Sequence, residues 1–178
     1  MEVYLIRHTE TICEKGVCYG QSDVLIAEPF DLVFENIISQ LPVEAIIFSS
    51  PLKRCTVLAK YIQNKIKTIS YNEDDRLKEM NFGDWEMKNW NTIPPEQLNP
   101  WMEDFVNIPA SNGESFTELH KRVGDFLSDQ IVKNKDKPVI IVSHAGVVRS
   151  ILCHYNSLPL KDAFQNKVDF GQVIKIVL

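Results

Sequence analysis

Four short apolar runs rich in β-branched residues, Val3–Ile6, Ala45–Phe48, Val139–Val142 and Val173–Val177, constrain this chain more than any other feature. Runs of that length and composition read as buried strands, and Thr68–Tyr71 is a weaker fifth. Between them lie stripes of helical period: Phe30, Phe34, Ile37, Ile38 and Leu41; Cys55, Leu58, Ala59, Ile62 and Ile66; Phe116, Leu119, Val123 and Leu127; Val148, Ile151, Leu152 and Tyr155. Ser50-Pro51 reads as the start of the second stripe, a capping Ser followed by Pro at the first helical position. Ser115, with Glu118 three residues on, is a capping box for the third. Strands and helices alternating in this way predict an α/β fold. The expected form is a three-layer α/β/α sandwich, with a mostly parallel sheet flanked by helices and a small lid insertion.

At 178 residues the chain has room for one domain of about 150 residues and an insert, so residues 1–178 are read as a single domain. The insert is placed at 85–112, which holds Trp85, Trp90 and Trp101 together with Pro94, Pro95, Pro100 and Pro109 and shows little clean periodicity. So long an irregular stretch reads either as a functional lid, its tryptophans suited to stacking on a flat base, or as a satellite hydrophobic cluster.

Charge narrows the classes of partner. The 19 basic and 24 acidic residues give a net charge of −5, and the basic ones are scattered rather than clustered. Neither a nucleic-acid footprint nor a polybasic membrane patch is expected. No apolar run is long enough for a signal-peptide core or a membrane span, so a cytoplasmic protein is expected. Cys13, Cys18, Cys55 and Cys153 lack CxxC spacing and are expected to be reduced thiols. Either a monomer or a homodimer fits the sequence.

In an open α/β sheet ligands bind beyond the carboxyl ends of the strands. There the sequence places Arg7-His8, then Ser49 to Arg54, then Ser143-His144-Ala145-Gly146. Two histidines and two arginines thus fall at equivalent places in the fold, which is what a dianionic phosphate ester requires: arginine forks that hold their charge, and helix starts that add backbone N–H donors. Singly, each has a plainer reading, since a strand-end histidine is usually structural and a helix arginine is usually solvated. His120 and His154, inside helical patterns, are read as structural. No HExxH or CxxC motif is present and paired arginines would repel a cation, so neither a metal nor another cofactor is expected. No phosphate loop or GxSxG elbow is present either.

The segments Leu5–Thr11, Ser49–Arg54, Leu77–Glu86, Asn112–Phe116 and Val142–Gly146 resemble, in order and over nearly the whole chain, the motifs of the histidine phosphatase (phosphoglycerate mutase-like) superfamily. Within it, Glu79–Met87, Asn112–Phe116 and Val168–Gly171 most resemble the α-ribazole phosphatases of cobalamin biosynthesis. The resemblance implies hydrolysis of a small phosphate ester, α-ribazole 5′-phosphate or adenosylcobalamin 5′-phosphate. It makes His8 the nucleophile that becomes phosphorylated, Arg7 and Arg54 the phosphate-binding arginines, His144 the second pocket histidine and Glu79 the proton donor. In the chemistry this implies, His8 attacks as a neutral imidazole whose other nitrogen donates to a backbone carbonyl, and a protonated His144 helps to balance the phosphate charge. Broad-specificity phosphatases and phosphoglycerate mutases share the motifs, and a non-catalytic phosphate-binding module is the remaining alternative.

Two positions depart from the family pattern. Thr9 stands where many members have Gly, and is tolerated if the backbone there avoids positive φ. Glu14 stands where many have Asn; as a carboxylate it repels phosphate, so it is expected to point away, leaving the contact to Tyr19, Gln21 or the Gly20 backbone. Ala145, at the start of the last helix, is expected to complete the binding set.

Overall fold

A computed structural model describes every residue except 135. Its five strands are β1 (Glu2–Arg7), β2 (Glu44–Ser49), β3 (Lys67–Glu73), β4 (Val139–Ser143) and β5 (Val173–Val177). They form one sheet in the order β3-β2-β4-β1-β5. Every neighbouring pair is parallel except β1 with β5, which is antiparallel.

The apolar runs look unpatterned because both faces of the sheet are buried, yet period two is hidden within them. Val3, Leu5, Ile46, Phe48, Val139 and Ile141 face one core, which α4 (Phe116–Phe126) and α5 (Ala145–Asn156) close with Leu119, Val123, Phe126, Val148 and Ile151. Tyr4, Ile6, Ala45, Ile47, Ile140 and Val142 face the other, which α1 (Asp31–Ile38) and α2 (Lys53–Lys65) close with Phe34, Ile37, Leu58, Ala59 and Ile62. These are the three expected layers. The capping box forms as read: the Glu118 N–H donates to Ser115 Oγ, and Glu118 Oε2 accepts from the Ser115 N–H at 2.7 Å.

The start of α2 differs from the sequence reading. The helix begins at Lys53, behind an extended Leu52 (φ −67°, ψ 137°), so Pro51 is not its first residue and Ser50 does not cap it. The Ser50 hydroxyl lies 3.4 Å from the Leu52 nitrogen but 2.8 Å from His144 Nε2, and the imidazole holds it.

The segment 85–112 also holds more structure than expected, including α3 (Pro95–Glu103), whose period is obscured in the sequence by Pro100 inside the helix. Trp85 is only 2% exposed and packs with Cys18, Ile93 and Ala110, while Trp90 and Trp101 stack on each other at 5.6 Å between ring centroids. The indoles therefore build a satellite core of their own, the second of the two readings the sequence allows.

The sheet's register decides which loops meet. Arg7 is level with Ser143, and Ser49 with Val142, so the three motif-bearing strand ends open at one edge.

Candidate active site

His8 follows β1 directly, its N–H bound to the Ser143 carbonyl at 3.0 Å. The imidazole is 3% exposed, and its Nδ1 lies 2.7 Å from the Thr9 carbonyl. A carbonyl can only accept, so Nδ1 carries the proton and Nε2 keeps a free lone pair. Burial, then the Arg54 charge, push the His8 pKa down to about 3, with a smaller contribution from Arg7. The imidazole is accordingly a neutral base at any ordinary pH.

Arg54, in the first turn of α2, is 1% exposed. Its guanidinium donates to the carbonyls of Ser22 (2.8 Å) and Gly20, and its Nε donates to His144 Nδ1 at 3.3 Å. Arg7 donates from Nη1 to the Val168 carbonyl at 2.7 Å, while its buried Nε has no partner. Among the described residues, Arg76 pairs with Asp74 and Asp129 and Arg122 with Glu114, but Arg7, Arg54 and Arg149 pair with no carboxylate. Arg54 is buried and Arg7 and Arg149 are half-buried, with Glu79 near the latter two but in no ion pair with them, and such a gathering of cations at one site marks a place for an anion.

His144 is fully buried, its ring 5.2 Å from that of His8. Because Arg54 Nε–H donates to Nδ1, the proton sits on Nε2 and is given to Ser50 Oγ. Burial and then the Arg54 charge hold the pKa well below the usual histidine value. The expectation of a protonated His144 finds no support in this geometry, since burial opposes the charged form first and the Arg54 charge adds to it.

Glu79 is placed from three sides. Its Oε2 accepts from the Gly146 N–H at the start of α5 (3.1 Å), its Oε1 accepts from the Met80 N–H (2.9 Å), and its backbone carbonyl accepts from Arg122 and from Gln21 Nε2, both at 3.0 Å. Glycine at 146 leaves the carboxylate its place, since a Cβ there would lie 2.3 Å from Glu79 Oε1 and push that side chain aside.

The remaining expectations resolve individually. Gln21 donates from Nε2 to the Glu79 carbonyl, and Tyr19 lies with its ring centroid 5.4 Å from the Arg54 guanidinium carbon. Ala145 is buried as the first residue of α5. Thr9 is absent from the non-glycine residues with positive φ (Met87, Asn112 and Ser157), which explains why glycine is not needed there. Glu14 is exposed and lines a groove of about 300 Å³ with Glu10, Cys13, Lys15, Tyr19 and Phe170, outside the histidine–arginine cluster. The four cysteines are free. Among the described residues no three His, Cys, Asp or Glu side chains gather as metal ligands, and no helix is long and apolar enough to cross a membrane.

Sequence reasoning misses three residues. Ser50 reads as a helix cap for α2 and instead fixes His144. Arg149 is three residues beyond Gly146, hence on the helix face that meets Glu79; that spacing is a usable signal. It donates from Nε to the Asn166 carbonyl and stacks over Phe164. Phe170, inside the Val168–Gly171 segment that carries part of the resemblance, covers the Arg7 guanidinium at 3.6 Å, and it is this contact across 163 positions that the sequence does not announce.

The sequence profile of the histidine phosphatase superfamily (branch 1) matches residues 3–178. A Hydrogenobacter thermophilus protein provisionally named phosphoserine phosphatase 2 is 29% identical, covering 98% of this chain and 88% of its own length. The adenosylcobalamin/alpha-ribazole phosphatase of Salmonella typhimurium is 25% identical, covering 96% and 87%. The crystal structure of the alpha-ribazole phosphatase from Shigella flexneri shares the fold with a TM-score of 0.86 at 24% identity, covering 100% of this chain and 91% of that one.

Proposed function

The chain belongs to the histidine phosphatase superfamily, and from that premise we propose that it hydrolyses small phosphate monoesters through a phosphohistidine on His8. One observation carries the reading: the 2.7 Å contact from His8 Nδ1 to the Thr9 carbonyl, which leaves a neutral Nε2 among arginines that lack carboxylate partners.

In the first step Nε2 attacks phosphorus in line as the bond to the leaving oxygen breaks, and Glu79 gives that oxygen a proton. Arg7 and Arg54 stand around the phosphoryl oxygens and stabilise their charge, and His144, itself held by Ser50, braces the Arg54 side chain beside them. Water then attacks phosphorus, the P–N bond breaks and the Glu79 carboxylate takes the water's proton, which restores His8 and releases phosphate. Dividing one very slow displacement into two allows the same groups to serve both steps.

For the substrate we propose α-ribazole 5′-phosphate or its adenosylcobalamin counterpart. The Salmonella typhimurium relative supports this, as does the groove lined by Tyr19 and Phe170. Its Glu10 and Glu14 carboxylates, which outnumber Lys15, suit the hydroxyls of a ribose better than a second anionic group, which disfavours a phosphoglycerate mutase. Segment 85–112 is proposed as the lid of this single domain.

Two measurements test the reading. Radiolabelled substrate should leave acid-labile phosphate on the wild type and none on His8→Ala; equal labelling refutes the nucleophile. Rates on α-ribazole 5′-phosphate, O-phosphoserine, 3-phosphoglycerate and p-nitrophenyl phosphate should rank the first highest, and a flat profile or a preference for phosphoserine refutes the substrate.

A further inference from the structure

Phe170 packs against Arg7 and the His8 ring and, among the described residues, against no other phenyl, phenol or indole ring. It sits in a turn pinned to the nucleophile's own strand end, where the Gly171 N–H approaches the carbonyls of Arg7 (3.2 Å) and His8 (3.1 Å). Gly171 adopts φ +67°, a conformation that glycine reaches without strain, and Gln172 Oε1 accepts from the Asp169 N–H at 2.7 Å. The turn therefore holds the Phe170 ring rigidly against the catalytic groups. The ring lies 3.6 Å from the Arg7 guanidinium carbon and 5.6 Å from the His8 ring, yet remains 37% exposed.

That exposed part divides two grooves. One is lined by Glu10, Glu14 and Tyr19, the other by Glu28, Phe30 and Val33, and Phe170 belongs to both. A ring set against Arg7, beside His8, and lining two grooves there is suited to receive a planar group.

We propose that Phe170 is the stacking platform for the leaving group, and that it makes this site prefer phosphate esters bearing a planar ring over the same sugar phosphates without one. The proposal rests on the phosphomonoesterase reading above and assigns to Phe170 the role that composition alone would give to the tryptophans of 85–112. The Phe170 ring is a specificity-determining contact, and through Arg7 it is also a positioning one.

The test compares kcat/KM for α-ribazole 5′-phosphate and ribose 5-phosphate, which share the phosphate and the pentose and differ by the base. Stacking of a base on an aromatic ring is worth roughly a tenfold to hundredfold preference. Wild type should show it, Phe170→Leu should lose most of it through KM for the ring-bearing ester, and Phe170→Tyr should restore it. Because Arg7 loosens in Phe170→Leu, both esters slow, and the ratio between them is the quantity to read. An unchanged ratio in Phe170→Leu overturns the platform while leaving the phosphatase reading intact, as does a wild type indifferent to the base. Absence of turnover on both esters, with no phosphate trapped on His8, overturns the phosphatase reading itself.

Discussion

A nucleophilic histidine held neutral by burial must weaken the fold in acid, and the size of that effect is set by its surroundings. In the unfolded chain His8 takes a proton near pH 6.5, whereas in the folded protein it does so only near pH 3. Between those limits the unfolded state binds the extra proton, so stability is complete above pH 6.5 and falls as the pH drops toward 3. At about 1.36 kcal/mol per pH unit, lowering the pH from 6.5 to 5 removes roughly 2 kcal/mol on account of His8 alone. With a urea m-value of about 2 kcal/mol per molar, that corresponds to a midpoint lower by roughly 1 M. His144 acts in the same direction, so wild type alone does not isolate the effect. His8→Asn removes the titrating ring and leaves a polar amide near the Thr9 carbonyl. Urea midpoints for both proteins at pH 7 and pH 5 should show the wild type losing roughly 1 M more than the variant. Equal losses would mean that His8 titrates normally in the folded protein. The free Nε2 that the proposed chemistry requires would then be lost in mild acid, and the argument from burial would be wrong.

Three substitutions probe the rest of the site. Arg54→Lys cannot reach the Ser22 and Gly20 carbonyls and His144 at once, so kcat/KM on p-nitrophenyl phosphate should fall by about a hundredfold or more, and a near-normal rate would refute the need for a planar fork. Gly146→Ala drives a methyl into Glu79, and displacement of that carboxylate should lower kcat by about a hundredfold with the fold retained by circular dichroism. Ser50→Ala leaves the His144 Nε2–H buried without its acceptor, which should cost about 1–3 kcal/mol and lower Tm by roughly 3–10 °C in a thermal melt.

What the chain determined by itself is local or periodic. Buried β-branched runs, helical stripes and a capping box are written in neighbouring residues, so β1 to β5 and the helices α1, α2, α4 and α5 are legible without the structure. The general rule that ligands gather at strand ends then brings Arg7, His8, Arg54 and His144 together, and the resemblance adds Glu79. Tertiary structure decided whatever depends on which distant groups come to share a space. Ser50 serves His144 across 94 positions because β2 and β4 are neighbours in the sheet. Three tryptophans became a satellite core because a compact cluster removes their surface from water. Both histidines are neutral because the fold buries them and then brings Arg54 from α2 beside them, and a charge's environment is a property of space, not of sequence.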